Sequence, residues 1–224
     1  MSINLTTQQW RFACWRPVIA RVSGQPPMKP FRLTILCLAF VAPPALAQAS
    51  ADNSNLWPMY RDGQTGFRVS YPPGWVIVPA RGRNVRFSAN PPSGPGNCNV
   101  VARPNAELRG MTQPALNREV ESLPTDQASW AEYIGLPPSQ VRVIETRRAR
   151  IHDVPALLGV VETTLENLER KFTRKQIVAL TFTPGLIWSL NCGASTFKAG
   201  DARSRFAELQ PTFNKVFGSF AFLK

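Results

Sequence analysis

Apolar and polar residues alternate in short stretches once the chain passes residue 65. Phe67, Val69 and Tyr71 fall on one face of such a stretch, which is typical of a strand with one buried side. Prolines and glycines at 72–74 and 91–97 predict turns or loops between further stretches of this kind. The short strands predicted on this basis are 66–71, 75–78, 84–89 and 98–103.

A helical period then replaces the alternation. Apolar residues recur at i, i+4 and i+7 from Leu116, which predicts an amphipathic helix. A second helix is expected to begin at Thr125 or Asp126, since both residue types cap helix N-termini. It is expected to end at Gly135, because two prolines follow and prevent continuation.

Long strand patterns return after residue 140. The segments are 141–151, 156–167, 172–182 and 186–192, and short turns such as His152-Asp153 join them, so they predict an antiparallel meander. The chain is expected to close with two short helices, one capped by Asp201 and another beginning at Pro211. Strands, helices, strands and helices in this order predict an α+β sandwich with an antiparallel sheet.

The N-terminal residues have the pattern of an export signal that begins at Met28. Lys29 and Arg32 form a positive region, Leu33–Val41 is apolar, and Ala45-Leu46-Ala47 has the small-residue pattern of a cleavage site. We therefore expect a signal peptide at 28–47, cleaved near Ala47, and a periplasmic or secreted mature protein. Residues 1–27 are interpreted as a mis-assigned upstream extension, with a long positive region as the alternative.

Neither a membrane anchor nor a lipid anchor is favoured for this segment. Two prolines interrupt an apolar stretch that is shorter than the ~20 residues a spanning helix needs. Leu36 precedes Cys37, where a lipoprotein signal has a small residue. Residues 48–59 are then predicted to be a disordered lead-in and 60–224 a single domain, with no transmembrane segment in the mature chain.

Cysteine use and charge agree with export. Cys98 and Cys192 remain after cleavage, and a pair of cysteines without C-x-x-C spacing predicts a structural disulfide in an oxidising compartment. All 14 acidic residues follow residue 47, and the 21 basic residues that remain with them give the mature chain a charge of +7. A moderate positive charge fits an anionic envelope component as partner or serves solubility alone, and export argues against nucleic acid.

The run from Gly66 to Trp75 (GFRVSYPPGW) resembles the opening of PsbP-like and DcrB-like exported proteins. The end of the chain is similar too, with a strand at 187–190, a helix and a terminal Ser219-Phe220-Ala221-Phe222. The resemblance implies an α/β/α sandwich around a central, mostly antiparallel sheet. It also implies a non-enzymatic accessory or interaction protein, without implying a particular partner, cofactor or catalytic residue.

The residues themselves indicate no catalytic or metal site. His152 is the single histidine and lies in a predicted surface turn, where adjacent residues such as Asp153 usually point apart. No cluster of cysteine, histidine and carboxylate has metal-ligand spacing, so no cofactor is predicted. A pocket that holds Glu162 or Asp153 beside His152, with perturbed titration, would favour a secreted hydrolase instead.

Two basic groups mark the meander. They consist of Arg147, Arg148 and Arg150, and of Arg170, Lys171, Arg174 and Lys175. Neighbouring antiparallel strands would place the groups at opposite ends of the meander. Each is a possible contact surface, because arginine binds carboxylate and phosphate with two hydrogen bonds; the alternative is a charged sheet edge that resists aggregation.

We therefore expect a non-catalytic periplasmic accessory or protein-interaction protein, with an unidentified envelope protein as its partner. Two alternatives remain open. One is a binding module for an anionic envelope component, which the two basic groups favour. The other is a secreted hydrolase whose catalytic residues the sequence does not reveal.

Overall fold

The structure is a computed structural model that describes residues 56–79, 82–167 and 170–223. The predicted signal peptide at 28–47, the extension before it and most of the lead-in lie outside these residues. The side chains at 166, 167 and 170 also lie outside the description.

The described residues form ten strands, three α-helices and a short 3₁₀ helix at Pro138–Gln140. The strands are β1 (Met59–Asp62), β2 (Phe67–Ser70), β3 (Val76–Ile77), β4 (Val85–Asn90), β5 (Asn97–Pro104), β6 (Val141–Ile151), β7 (Val154–Asn167), β8 (Arg170–Thr183), β9 (Leu186–Thr196) and β10 (Ala221–Phe222). The helices are α1 (Gln113–Ser122), α2 (Gln127–Ile134) and α3 (Ala199–Ser219).

Seven strands form one antiparallel sheet in the order β3-β4-β5-β9-β8-β7-β6. Strands β6 to β9 are neighbours in sequence order, so the predicted meander is confirmed. A separate sheet, β1-β2-β10, joins the two ends of the described chain, with Phe222 opposite Phe67.

Helix α3 and the small sheet cover one face of the large sheet, which we call the α3 face. Its core is rich in aromatic rings. The ring centres of Trp188 and Phe67 lie 5.6 Å apart, and the Phe67 ring stacks on the Phe220 ring. Aromatic pairs of this kind add attraction beyond the apolar area they bury. Strand β2, which lies within the Gly66–Trp75 run described above, is therefore part of the core.

Helices α1 and α2 cover part of the opposite face, which we call the α1–α2 face. Val120 and Trp130 pack there on apolar residues of β7 and β8. The ends of α2 are as predicted: the Asp126 carboxylate accepts a hydrogen bond from the Ser129 amide at 3.0 Å, and Gly135 has a left-handed φ of 78°. Helices on both faces of an antiparallel sheet confirm the α+β sandwich.

Helix α3 differs from its prediction, because one helix runs through Pro211 where two were expected. A proline inside a helix costs about 3 kcal/mol, since it removes one backbone hydrogen bond. Here Phe206 and Leu209 before the proline, and Phe213 and Val216 after it, are all buried in the same core. Each such side chain contributes about 1.5–3 kcal/mol on burial, which outweighs the cost.

The first strand also begins earlier in the chain than expected. Strand β1 starts at Met59, inside the segment predicted to be a disordered lead-in, and the preceding Trp57 packs against the core. The Nζ atom of Lys215 lies 4.3 Å from the centre of the Trp57 ring. The alternation from residue 66 did not reveal β1, because its residues are only partly buried or exposed.

The two edges of the large sheet differ in length. Strand β3 at one edge has 2 residues, whereas β6 at the other has 11. Short edge strands limit unwanted pairing between proteins, and a long one needs another form of protection or a partner. The edge strand β6 carries the first of the two basic groups.

Candidate interaction surface on the edge strand β6

The structure places the two basic groups at opposite ends of the meander. Arg147 lies opposite Leu158 near the start of β7, whereas Lys171 lies opposite Glu166 at the end of β7. They do not form one patch. The role of both groups as contact surfaces stays a prediction, and their side chains have different surroundings.

Alternation along β6 divides the first group between the two faces of the sheet. Arg147 pairs with Leu158, which belongs to the core of the α3 face, and Arg148 pairs with Leu157, which belongs to the opposite core. Arg150 shares the α1–α2 face with Arg148 by the same alternation. The free edge of β6 therefore has arginine on both sides.

Arg148 has a structural role that the sequence did not reveal. Its guanidinium donates hydrogen bonds to the carbonyl oxygens of Val120, at 2.8 Å, and Leu123, at 2.5 Å. These carbonyls lie at the C-terminal end of α1, where backbone acceptors lack helical partners and cations are favoured. Arg148 thus ties α1 to the edge strand.

Arg147 and Arg150 are not tied to a helix as Arg148 is, so they are more available to a partner. The Arg147 side chain is 56% exposed, and its Nε atom lies 3.4 Å from the similarly exposed Glu145 carboxylate, so this ion pair contributes little to stability. Arg150 is exposed and donates a hydrogen bond to the carbonyl oxygen of Asp153 in the adjoining turn. These two arginines can change partners without loss of a core contact.

A cleft of about 300 Å³ lies between the end of α1 and the paired strands β6 and β7. Its lining combines apolar, acidic and basic residues: Val120, Glu121, Arg148, Ala149, Arg150, Pro155 and Ala156. Arg148 and Arg150 supply donors for a carboxylate or a similar anion, while Glu121 limits how much negative charge the cleft can hold. The candidate interaction surface consists of β6 and this cleft.

The second basic group is partly built into the packing. The Nζ atom of Lys175 lies 4.9 Å from the centre of the Phe206 ring of α3. Arg174 is half-buried, and burial lowers the pKa of its guanidinium to about 10. Lys171 is exposed, and the side chain of Arg170 lies outside the described residues. Among the side chains that the structure describes, those of the first group are therefore the more exposed.

Glu162 is an ion-pair centre, far along β7 from the turn that holds His152. Its carboxylate accepts two hydrogen bonds from Arg203 of α3, at 2.7 and 2.8 Å, and one from Arg142 of β6, at 3.4 Å. The hydrogen bonds from Arg203 lower the pKa of Glu162, although burial opposes them. The hydrolase arrangement with Glu162 beside His152 is not present.

We expect the Glu162→Gln variant to be less stable than the wild type at neutral pH and to approach it in acid. A depressed pKa stabilises the fold above the usual value of 4.5, and this contribution is lost as the pH falls through the lower folded-state pKa. Urea unfolding at a series of pH values measures the difference. A constant difference down to the most acidic pH would contradict the assignment.

His152 and Asp153 do contact each other, contrary to the expectation that they point apart. The His152 Nδ1 atom lies 3.1 Å from the Asp153 carboxylate, in a turn where His152 has a positive φ of 52°. The Asp153 side chain is 72% exposed. The pair is a surface contact at the β6–β7 turn, as the predicted surface position of His152 requires.

Cys98 and Cys192 form a disulfide between directly opposed residues of β5 and β9, with a Cα–Cα distance of 4.1 Å. Both are buried on the α3 face. No three histidine, cysteine or carboxylate side chains among the described residues are grouped to hold a metal ion. None of the described helices has both the length and the apolar character needed to cross a membrane.

Comparisons with known proteins found neither a matching family model nor a matching curated protein. Among solved structures, the chain is similar to the PsbP protein (CyanoP) of Synechocystis sp. PCC 6803, with 16% identity and a TM-score of 0.46, covering 74% of this chain and 91% of that one. It is similar to LpqN of Mycobacterium tuberculosis, described as involved in cell envelope biogenesis, with 10% identity, a TM-score of 0.43 and coverage of 75% and 91%. It is also similar to the Ran-binding protein Mog1p of Saccharomyces cerevisiae, with 10% identity, a TM-score of 0.45 and coverage of 75% and 96%. Identities of 10–16% transfer neither a function nor a site residue to this chain.

Proposed function

We propose that this chain is an exported, non-catalytic interaction protein that contacts a partner in the cell envelope through β6. The observation that carries the proposal is the charge of this edge strand. Arg142, Glu145, Arg147, Arg148 and Arg150 all lie on β6, and the side chains of Arg142 and Arg147 are more than half exposed. The buried disulfide supports export, because such bonds persist in oxidising compartments.

The composition of the edge supports recognition of a partner with negative charge. Clustered arginines attract an anionic surface and accelerate its association. The cleft beside α1 offers a recess next to Arg148 and Arg150, so shape complementarity can add to the electrostatic attraction. A partner protein with acidic residues fits both features.

Affinity capture in the native envelope tests the proposal. The mature protein, expected to begin near Gln48, is crosslinked in its own envelope beside a variant with Arg147→Glu and Arg150→Glu. Arg148 is left in place, because its hydrogen bonds hold the end of α1. We expect the wild type to retain a specific protein that the variant loses.

A matched control separates local contact from total charge. Arg83→Glu with Arg109→Glu makes the same charge change at exposed residues outside β6 and should retain the partner. Retention of the partner by the β6 variant would contradict the proposal. Salt-sensitive binding to anionic glycolipid without a protein partner would favour the alternative function, a binding module for an anionic envelope component.

A further inference from the structure

The edge strand β6 offers a partner its backbone as well as its charges. We propose that β6 binds an extended acidic segment of a partner protein as an additional antiparallel or parallel strand, with one acidic side chain of that segment in the cleft beside α1. This inference rests on the proposed function and specifies the mode of recognition and the chemistry of the partner.

Backbone hydrogen-bonding groups are the first requirement for adding a strand. Within the described part of the chain, β6 pairs with β7 alone. Alternate residues of an edge strand direct their N–H and C=O groups away from the sheet. A bulge interrupts the pairing between Val143 and Glu145, and the register is regular from Glu145 to Ile151. This regular segment is long enough to pair with an extended peptide.

Charge decides between an acidic partner and a second copy of the chain. Strand β6 carries four arginines and one glutamate, so two copies of β6 placed side by side would concentrate positive charge along one seam. Opposite charges on neighbouring strands stabilise pairing, and like charges directly opposite each other destabilise it. The charge of β6 therefore favours a segment rich in aspartate or glutamate.

The cleft favours a carboxylate over a multiply charged group. Side chains of an added strand alternate between the two faces, so every second one lies on the α1–α2 face with Arg148 and Arg150. The cleft opens on that face, and two carbonyl oxygens hold the Arg148 guanidinium in position. Glu121 in the lining disfavours a phosphate or a polyanionic headgroup, whereas one carboxylate can pair with an arginine.

A synthetic peptide of alternating glutamate and threonine, as long as β6, is the probe. Hydrogen exchange of the mature protein is measured at increasing peptide concentration up to millimolar. We expect protection of alternate amides between Glu145 and Ile151, because the added strand pairs with those that point outward. The Arg147→Glu, Arg150→Glu variant should bind at least about tenfold more weakly, whereas the Arg83→Glu, Arg109→Glu control should bind as the wild type does.

Two further peptides of the same sequence, one N-methylated at every glutamate and the other at every threonine, separate strand addition from attraction by charge. Each keeps every carboxylate and loses the backbone donors of one strand edge, so one of them should bind more weakly whichever direction the added strand takes. Equal binding of all three peptides, or the absence of protection in β6 at millimolar peptide, would overturn strand addition. Envelope capture can still succeed in that case, so failure of this inference is distinguishable from failure of the proposed function.

Discussion

Removing the disulfide by the paired replacements Cys98→Ala and Cys192→Ala is expected to lower the free energy of unfolding by about 2–5 kcal/mol. The bond joins residues separated by 94 positions, so its loss frees a long loop in the unfolded chain. Alanine avoids an unpaired hydroxyl in the core, where both cysteines are at most 2% exposed. Denaturant midpoints at constant slope measure the change.

Reduction of the wild type supplies the control for this prediction. Under reducing denaturation, the midpoint of the wild type should fall to that of the double variant, while the variant itself should not respond to the reductant. A wild type that keeps its midpoint after full reduction would show that the bond does not stabilise the fold. Loss of partner binding in a variant that remains folded would indicate a redox role instead.

The disulfide and the meander could be predicted from the sequence. The disulfide follows from the number of cysteines, and the meander follows from local strand and turn patterns. Two cysteines in the predicted mature chain leave one intramolecular pairing, and strands joined by short turns usually pair with their neighbours. The face on which each arginine lies follows from the same alternation. Local patterns thus determine much of the sheet and the position of its basic edge.

The roles of individual charged residues could not be predicted from local sequence patterns. Arg148 binds carbonyl oxygens 25 and 28 residues away, and Arg203 binds Glu162 across 41 residues. Nothing in the local sequence distinguishes Arg148 from the neighbouring Arg147, whose guanidinium lies beside the Glu145 carboxylate instead. The helix through Pro211 was missed for a related reason, since burial on both sides of the proline outweighs its local cost.

Gly159→Ala is expected to destabilise the protein by about 1–3 kcal/mol, although it adds a single methyl group. A Cβ atom at Gly159 would lie 2.4 Å from Cζ2 of Trp130, well inside van der Waals contact. The Trp130 ring is fully buried, and its Nε1 atom donates to the Thr146 hydroxyl at 3.2 Å. The ring therefore cannot move aside unless α2 moves on the sheet.

Gly200→Ala is the matched control, because a Cβ atom at that exposed position in α3 meets nothing within 4 Å. Alanine favours helix over glycine by up to about 1 kcal/mol, so this variant should be as stable as the wild type or more so. Urea unfolding of both variants makes the comparison. Equal effects of the two substitutions would contradict the packing argument.

A double-mutant cycle with Trp130→Phe tests the contact itself. The three atoms nearest to the added Cβ are Cζ2, Cη2 and Cε2 of the indole, and phenylalanine lacks the second ring that contains them in Trp130. Gly159→Ala should therefore cost less in the Trp130→Phe background, with a coupling free energy of about 0.5–3 kcal/mol. Additive effects would contradict the contact between Gly159 and the indole. Coupling would show that glycine is needed here to let Trp130 approach the strand, which is how α2 reaches the edge where β6 lies.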